Sequence, residues 1–216
     1  MSVNVKFPLL ELLPEADRAA VMSRLKMQKV DAGQVIYERG AVCREVFFIF
    51  EGKIRAEALD VHGDMAFFHA RGPGEIIGMY SAITDEPQPV TTAAVQKSLL
   101  GRLAGPEFMA VVLANRDISA FMMRLLASRL ISESRRITHL IVLDTLRRVA
   151  AEILDRAKVA GPVIEVPERV DWAARLGMTR QTLATQLSTL RRRGLIRIDR
   201  NNIHILDAKQ LDELVG

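Results

Sequence analysis

The sequence has little cysteine and no long apolar run. Cys43 is the single cysteine among 216 residues, so no disulfide can form within the chain, which suits a reducing compartment. No apolar run reaches the ~18 residues that a membrane-spanning helix needs. The N-terminal stretch lacks the basic start, long apolar centre and small-residue cleavage site of a secretion signal: MSVNVKFPLLELLPEADRA. These absences predict a cytoplasmic protein that has no membrane partner.

The common sequence signatures of enzymes are also missing. A metal-dependent jelly-roll enzyme of the cupin type needs a His-x-His pair, whereas His62 and His69 are seven residues apart and on opposite strand parity. No Ser/His/Asp set surrounds a nucleophile elbow, and no glycine loop for phosphate precedes a helix. The GPGE at 72–75 is typical of a turn before a strand. The sequence therefore predicts no enzyme and no metal site. A cupin-type enzyme remains the rival, and a stoichiometric bound metal would favour it.

The chain does have apolar residues for a core and an excess of basic charge. Hydrophobic residues make up 49% of the sequence, and the net charge is +4. Such a charge fits either nucleic acid or an anionic membrane surface. Eight arginines between positions 169 and 200, against two aspartates, concentrate the positive charge in one C-terminal segment. This segment favours nucleic acid as the partner.

The stretch from Arg169 to Arg193 predicts two short helices joined by a tight turn. The first is expected from Arg169 to Leu176, because its apolar residues are spaced for one buried face. Gly177 is expected to end it, since glycine enters the left-handed conformation that closes a helix. The hydroxyl of Thr179 can then cap the second helix by accepting a bond from a first-turn amide. The pattern is that of a helix-turn-helix.

The second helix of this pair has an apolar face and a polar face. Leu183, Leu187 and Leu190 recur at i, i+4 and i+7, which predicts a buried stripe. The opposite face carries polar or small residues: Arg180, Gln181, Ala184, Thr185 and Ser188. Side chains of this kind let a helix approach base edges in the major groove of double-stranded DNA. An ordinary helical hairpin with a solvated basic face is the alternative, and Gln186, where an aliphatic residue is usual, favours it.

Residues 30–103 show short apolar runs punctuated by glycine. In one run Val46, Phe48 and Phe50 alternate with Phe47 and Ile49, which predicts a strand that is covered on both faces. Glycines recur at turn spacing for an all-β sandwich or barrel. The segment therefore predicts a β-roll of jelly-roll type. Residues 9–28 before it predict a helical lead-in that begins near Pro14.

Residues 106–143 predict one long helix with two apolar faces. A stripe at alternating spacings of three and four runs along it: Ala120, Met123, Ala127, Leu130, Ser134, Ile137 and Ile141. A two-helix coiled coil buries such a stripe, so we expect a homodimer whose interface includes Met123, Leu130, Ser134, Ile137 and Ile141. A second face can pack on the β-roll: Ile118, Phe121, Met122, Leu125 and Leu126. A helix buried inside one monomer is the alternative.

The C-terminal segment predicts a small winged domain. Asp144 is expected to cap a helix that ends at Gly161, and a short strand VIEV follows. After the helix-turn-helix, LIRIDRNNIHIL reads as a hairpin whose turn contains asparagines that tolerate positive φ. A last helix at 207–215 closes the chain. No linker of low complexity is present, so we expect the hinge between the parts at Leu143–Asp144.

This order of elements resembles the CRP/FNR family of bacterial transcription regulators over essentially the whole chain. The motifs that carry the resemblance are PGEIIGMYSA at 73–82, LD at 143–144 and LGMTRQTLATQLSTLRRRGLI at 176–196. It implies an α+β fold with three parts: a lead-in helix and β-roll (jelly-roll, cyclic-nucleotide-binding-like) sensor domain at 1–105, a dimerisation helix at 106–143 and a winged helix-turn-helix domain at 144–216. It also implies RNA polymerase as a partner.

The resemblance assigns roles in DNA binding. Residues matching Arg180, Gln181 and Thr185 read base edges in the family, and those matching Arg169, Thr179 and Thr182 touch phosphates; Ser188 lies on the same face. Many members have Glu where this chain has Gln181. Glutamine pairs with adenine whereas glutamate accepts from cytosine, so the operator is expected to depart from the family's usual half-site.

The resemblance weakens at the effector site. Members that bind cyclic nucleotides have a glutamate after the glycine matching Gly78, where this chain has Met79, and an arginine where it has Gln88-Pro89-Val90. A buried phosphate without a cation is poorly compensated, which argues against cyclic AMP and leaves a small-molecule effector of unknown identity. The expected pocket residues are Gly78, Met79, Tyr80, Thr91, Thr92 and Ser134.

Two other sensing chemistries, heme binding and thiol oxidation, remain as alternatives within the family. Iron–sulfur sensing needs a cluster of cysteines, which one cysteine excludes within a monomer. Heme needs only one or two axial ligands, for which the sequence offers Cys43, His62, His69, His139, Met79 and Tyr80. Thiol oxidation at Cys43 would need a lowered pKa. The sequence requires no cofactor, and its expected mechanism is a shift between two arrangements of the DNA-binding helices.

Overall fold

The structure, a computed structural model, describes residues 5–59, 65–166 and 169–216. The fold divides into two compact units, Met1–Arg129 and Leu130–Gly216. Among the described residues, no helix is both long and apolar enough to cross a membrane. Because the division falls inside a helix, it coincides with neither predicted boundary, 105/106 or 143/144. The hinge at Leu143–Asp144 stays a prediction.

Helices occupy both ends of the chain and its middle. A short 3₁₀ turn covers Leu10–Leu12. The α-helices are α1 (Glu15–Arg24), α2 (Met79–Thr84), α3 (Gly105–Ala114), α4 (Arg116–Val142), α5 (Thr145–Ala160), α6 (Arg169–Arg175), α7 (Arg180–Arg192) and α8 (Ala208–Val215). The strands of the first unit are β1 (Lys26–Val30), β2 (Val35–Tyr37), β3 (Glu45–Glu51), β4 (Ile54–Leu59), β5 (Met65–Arg71), β6 (Ile76–Ile77), β7 (Thr91–Ala94) and β8 (Ser98–Ala104). Those of the second unit are β9 (Val163–Glu165), β10 (Ile196–Asp199) and β11 (Asn202–Ile205).

The first unit is built on two four-stranded antiparallel sheets, in the orders β1-β8-β3-β6 and β2-β7-β4-β5. Strand β3 lies inside one of them and is buried on both faces. Its residues Val46, Phe48 and Phe50 join one apolar cluster, whereas Phe47 and Ile49 join another. This is the result that the alternating pattern predicts, and the β-roll is confirmed.

The predicted lead-in helix is shorter than its apolar pattern suggests. Helix α1 begins after Pro14, as expected, but ends at Arg24. Leu25 then takes an extended conformation, and the next residues pair with β8, where Lys26 faces Arg102. The prediction of helix through residue 28 is therefore wrong, because sheet hydrogen bonds replace helical ones from Lys26 onward.

The single long helix predicted for residues 106–143 is also wrong, because the chain breaks at Asn115. Asn115 is extended (φ −123°, ψ 118°) and ends α3. Its side-chain oxygen accepts bonds from the amides of Asp117 (2.9 Å) and Ile118 (3.1 Å) at the start of α4. Asparagine competes in this way with the helical backbone, so a local cap interrupts the apolar pattern.

The first half of α4 packs on the β-roll as the second apolar face predicts. Ile118 and Met122 are buried, and Phe121 and Leu125 pack partly against the same cluster. Leu126 does not join them and is 41% exposed. This packing explains why the division between the units falls within α4 rather than before it.

The second unit has its own core between α5, α6, α7 and a three-stranded sheet in the order β10-β11-β9. Asp144 caps α5 by accepting a bond from the Arg147 amide at 2.9 Å, and Gly161 ends the helix at φ 83°. The side chain of Asp207 likewise caps α8. The cap at Asp144 and the helix end at Gly161 agree with the sequence prediction.

Candidate functional site

Helices α6 and α7 form a helix-turn-helix around Gly177. Glycine is required there because φ is 62°, and the amide of Met178 donates back to the carbonyl of Ala173 at 3.0 Å. The Thr179 hydroxyl then caps α7 by accepting a bond from the Thr182 amide at 3.1 Å. The predicted turn and cap are confirmed.

One face of α7 is buried and fixes the helix in the unit. Leu183, Leu187 and Leu190 are at most 4% exposed and pack in the same cluster as Trp172 of α6. Each leucine of this kind stabilises the fold by roughly 2–5 kcal/mol relative to alanine. Gln186, which sequence analysis found unusual, is half-buried at the border of this face.

The opposite face of α7 is open to solvent. Arg180, Gln181, Ala184 and Thr185 are exposed, whereas Thr182 and Ser188 are half-buried. The Thr185 hydroxyl donates to the carbonyl of Gln181 at 3.0 Å. Its hydrogen is therefore engaged, so Thr185 offers an outside partner only acceptor lone pairs and a methyl group. The amide of Gln181 and the guanidinium of Arg180 keep their donors.

The predicted phosphate contacts fall at the N-terminal end of the same region. The hydroxyls of Thr179 and Thr182 lie 2.9 Å apart. One of them donates to the other, so the pair keeps one hydroxyl hydrogen for an external acceptor. Arg169 is the first residue of α6, but its side chain lies outside the described residues.

The wing is the hairpin of β10 and β11, which pair from Ile196 with Ile205 to Asp199 with Asn202. The positive φ of its turn falls on Arg200 (φ 23°) and not on an asparagine, so that detail of the prediction is wrong. The hairpin register places Asn202 in β11, which leaves Arg200 at the tip. The arginines at 191, 192, 193, 197 and 200 are all exposed, so this unit has a basic surface.

A row of apolar side chains on α4 is exposed to solvent. We call the five predicted interface residues the α4 stripe: Met123 (66% exposed), Leu130 (68%), Ser134, Ile137 (56%) and Ile141 (78%). Their neighbours Ile131 and Val142 are similarly exposed. So much exposed apolar surface on one helix is unusual in a monomer.

The predicted effector pocket is only partly assembled around Gly78. Gly78 precedes α2 with φ 83°, and a Cβ there would lie 2.6 Å from the Glu45 carbonyl oxygen, so glycine is required. Met79 is 5% exposed and belongs to the apolar core. Tyr80 is 49% exposed on the outside of α2. Ser134 lies in the second unit and stays a prediction.

The tyrosine that lies near Gly78 is Tyr37, which the sequence analysis did not find. Burial raises the pKa of its phenol, although the Thr92 hydroxyl, the Gly78 backbone and the charge of Arg71 lower it. The phenol therefore remains protonated at neutral pH and can donate a hydrogen bond. Tyr37 and Thr92 face each other in the register of β2 and β7.

The two predicted threonines differ in their contacts. The Thr91 hydroxyl accepts a bond from the Arg39 amide at 3.1 Å. Thr92 is 1% exposed, and its hydroxyl lies beside the Tyr37 phenol, whose pKa is lowered by a side-chain hydrogen bond with Thr92. No other described residue comes within hydrogen-bond geometry of its oxygen Oγ1.

Two arginines bring positive charge to this place. Arg71 at the end of β5 forms an ion pair with Glu75 at 3.3 Å. Arg129 of α4 is half-buried, and burial lowers the pKa of its guanidinium; the charge of Arg71 lowers it further, against smaller opposite effects of Glu75 and Tyr37. We call the group the Gly78 cluster: Tyr37, Arg71, Glu75, Gly78, Thr92 and Arg129. The sequence has no cation between Arg71 and Lys97. It does not reveal that Arg129, far along the chain in α4, is the second arginine of this group.

Cys43 does not have the environment of a reactive thiol. Its Sγ donates to the Glu45 carbonyl at 3.5 Å. Burial raises the pKa of the thiol, and the Glu45 carboxylate raises it further, whereas Arg102 lowers it less. Redox sensing and thiolate ligation of heme both need the opposite shift.

The other candidate heme ligands are dispersed or undescribed. Met79 is in the core and Tyr80 outside it, His139 lies on α4, and His62 and the His69 side chain lie outside the described residues. Within the described ranges, no three His, Cys, Asp or Glu residues are grouped as metal ligands.

Comparison with known proteins gives matches to both units. Residues 27–115 match the cyclic nucleotide-binding domain family, and residues 147–214 match the Crp-like helix-turn-helix domain. The cyclic AMP receptor protein of Thermus thermophilus is 22% identical over 208 residues, or 96% of each chain. A CooA variant from Carboxydothermus hydrogenoformans superposes with a TM-score of 0.81 at 17% identity, over 99% of this chain and 97% of that one.

A further match is to part of a much longer protein. Lysophospholipase nte1 of Aspergillus terreus is 26% identical over 106 residues, which is 49% of this chain but 7% of that protein. Such a match covers too little of the enzyme to carry its activity over. The two domain matches, by contrast, follow the order of the two units along this chain.

Proposed function

Since the chain belongs to the CRP/FNR family of DNA-binding transcription regulators, we propose that it works as a homodimer on a two-fold symmetric operator. The observation that carries this proposal is the open face of α7, which presents Arg180, Gln181 and Thr185 while three leucines hold the helix from behind. A helix held in this way can enter the major groove without changing its own packing. The proposed role is binding and not catalysis.

Within the groove, Arg180 and Gln181 read bases. The guanidinium of Arg180 fits the two acceptors on guanine, and the carboxamide of Gln181 fits the donor and acceptor on adenine. Thr185 has its hydroxyl hydrogen engaged, so its methyl group is suited to the methyl of thymine. The half-site is therefore proposed to contain adjacent guanine and adenine contacts.

The register on the duplex comes from phosphate contacts. We propose that Arg169 binds a phosphate at the start of the helix pair. The one hydroxyl hydrogen that Thr179 and Thr182 do not use between themselves is proposed to bind another. Exposed arginines after α7 and in the wing add positive charge. Such contacts strengthen binding to any sequence and make it depend steeply on salt.

Dimerisation through the α4 stripe would supply the symmetry. Two copies that bury Leu130, Ile137 and Ile141 against each other remove apolar side chains from water. A two-fold pair can then present its two α7 helices ~34 Å apart, at successive major-groove faces. A ligand that favours one arrangement of the pair would shift the population toward DNA binding.

The remaining partners follow from this role. A regulator bound to an operator acts on transcription through RNA polymerase, and both meet in the cytoplasm. The ligand, if one is needed, is a small molecule bound in the β-roll, and Met79 in the core argues against the ribose contacts of cyclic AMP.

An unbiased selection of bound duplexes, performed with purified protein and no added ligand, tests the proposal. We expect an enriched inverted repeat with half-sites one helical turn apart and binding that weakens steeply with salt. Enrichment of no motif, combined with no salt-dependent affinity for any duplex, would refute it.

A further inference from the structure

We propose that Arg200, at the tip of the wing, enters the minor groove beside each half-site and makes the protein prefer A·T-rich sequence there. This inference deepens the proposed function and rests on it, because the wing meets DNA only when α7 is bound. Phosphate contacts position a protein on the duplex, whereas groove width and base edges select a sequence. Three observations on the wing carry the inference: the backbone strain at Arg200, the fixed position of the tip and the unpaired guanidinium.

Arg200 occupies a turn position that favours glycine. Because Asp199 pairs with Asn202, only Arg200 and Asn201 form the turn between β10 and β11. The φ of Arg200 is 23°, whereas that of Asn201 is not positive. A two-residue hairpin turn with positive φ at its first residue alone usually has glycine there, and a bulky side chain is unfavourable. Such strain persists where the side chain has a function, and a purely electrostatic arginine would be unstrained at position 201.

The tip of the wing is fixed to the core of the second unit. Ile203, on the inner face of the hairpin, is fully buried in the same cluster as the leucines of α7. The third strand also reaches the tip, since Glu165 pairs with Asn202 and the Val166 amide donates to the Asn201 carbonyl at 2.7 Å. A side chain at this tip is therefore presented at a constant position relative to α7.

The guanidinium of Arg200 is available to a partner. Arg200 is exposed and forms no ion pair among the described residues. Its acidic neighbour in sequence, Asp199, is held by His204 instead, with 2.6 Å between Oδ2 of the carboxylate and Nε2 of the imidazole. The strong negative potential of a narrow, A·T-rich minor groove attracts such a charge, and arginine leaves water more readily than lysine because it is more weakly hydrated.

The dimensions of the wing fit the minor groove next to the site of α7. The four residues of β10 span ~13 Å at ~3.3 Å per residue. A major-groove face and the nearest minor groove are half of a ~34 Å turn apart, or ~17 Å, which the strand and an extended arginine side chain together cover. The minor groove, ~6 Å wide, is too narrow for the hairpin but admits one arginine side chain. Only G·C pairs place an amino group there, so an arginine in this groove favours A·T pairs.

Duplexes that share the selected half-sites and differ only in the base pairs beside them test the inference. We expect the full-length protein to bind duplexes with A·T-rich neighbours at least about fivefold more tightly than those with G·C-rich neighbours. Replacing guanine by inosine in the G·C-rich neighbours removes the minor-groove amino group and leaves the major-groove edge unchanged, so it should restore most of the affinity. Arg200→Gly should bind the three kinds of duplex about equally.

Arg200→Gly separates binding from folding, because it should stabilise the second unit. Glycine relieves the positive φ, so the melting temperature followed by the fluorescence of Trp172 should rise by about 2–8 °C. The matched control is Arg197→Gln, at an exposed position on β10 of the same wing. It should weaken binding to all three kinds of duplex alike and keep the preference for A·T-rich neighbours.

Three results would overturn the inference. They are an unchanged preference for A·T-rich neighbours with Arg200→Gly, no effect of inosine on the unchanged protein, or a fall in melting temperature with Arg200→Gly. The first would assign Arg200 to phosphate contacts. An enriched half-site without a preference beside it would refute this inference alone, whereas failure of the selection would refute the proposed function on which it rests.

Discussion

Arg148 of α5 ends the first helix of the helix-turn-helix: its Nη1 donates to the carbonyl of Leu176 at 2.8 Å. The last carbonyls of a helix have no partner within it, and Arg148 satisfies one of them at the turn. Leu140, near the end of α4, approaches the same turn, because a Cβ on Gly177 would lie 2.9 Å from its Cδ2. The turn before α7 is thus held by side chains from two preceding helices.

Arg148→Met is expected to lower the free energy of unfolding by about 1–3 kcal/mol, because the Leu176 carbonyl loses its donor. Urea unfolding followed by tryptophan fluorescence measures this, since the single tryptophan, Trp172, is buried in α6. The control is Arg147→Met, at an exposed neighbour whose ion pair with Asp144 is 3.8 Å long. Equal unfolding midpoints for the two variants would contradict the role of Arg148.

Gly177→Ala tests the contact with Leu140, and the chain offers a matched control. Gly194 follows α7 with the same hydrogen-bond pattern, because the next amide, that of Leu195, donates to the Leu190 carbonyl. A Cβ on Gly194, however, would meet no atom within 4 Å. Alanine at either glycine costs about 1–2 kcal/mol for the left-handed backbone. At Gly177 the loss should be larger, because Leu140 and Arg148 must move, and Leu140→Ala should reduce the excess. Equal losses at Gly177 and Gly194 would show that the contact has no energetic effect.

Much of the fold follows from short-range patterns in the sequence. The caps at Asp144 and Thr179 and the turn at Gly177 act over one to four residues, so their chemistry is visible in the sequence. The alternation in β3 is equally local. The break at Asn115 is not, because the apolar spacing continues across it while one side chain competes for the backbone amides.

The Gly78 cluster shows what local patterns miss. Tyr37, Arg71 and Arg129 come from β2, β5 and α4, and only the register of the sheets and the packing of α4 bring them together. Tyr80, which is only two residues from the glycine in sequence, is outside. Neighbours in sequence are poor guides where a site is built from distant segments.

Cys43 should react slowly at neutral pH. Its pKa is raised, chiefly by burial, so the thiolate population is smaller than in the unfolded chain. As the pH rises through the unfolded thiol's pKa of ~8.5, the unfolded state loses its proton first, and the free energy of unfolding falls. We expect Ellman's reagent to react faster with the protein unfolded in urea than with the folded protein. Above that pH, the free energy of unfolding should fall less for Cys43→Ala than for the unchanged chain. Faster reaction of the folded protein would contradict this.

Leu130→Glu should dissociate the proposed dimer, because it places charge in the middle of the α4 stripe. Sedimentation velocity of the variant should give a monomer, with the β-roll still folded by circular dichroism. Leu113→Glu is the control: this α3 residue is 73% exposed, against 68% for Leu130, but is not part of the stripe. We also expect Leu130→Glu to lose tight operator binding. A Leu130→Glu protein that remains dimeric would place the interface elsewhere.

Gln181→Glu should change which base is read without changing the strength of phosphate contacts. Glutamate accepts hydrogen bonds but cannot donate them, so it pairs with the amino group of cytosine where glutamine pairs with adenine. Repeating the duplex selection with this variant should replace adenine by cytosine at one position of each half-site, with a discrimination of about 1–3 kcal/mol.

The matched control is Arg192→Gln, at an exposed arginine in the last turn of α7. It should weaken binding to all duplexes alike and lower the salt dependence, because it removes one of the exposed positive charges that we propose attract the phosphates. If Gln181→Glu also weakened all sequences equally and left the motif unchanged, Gln181 would contact the backbone, and α7 would enter the groove in another orientation.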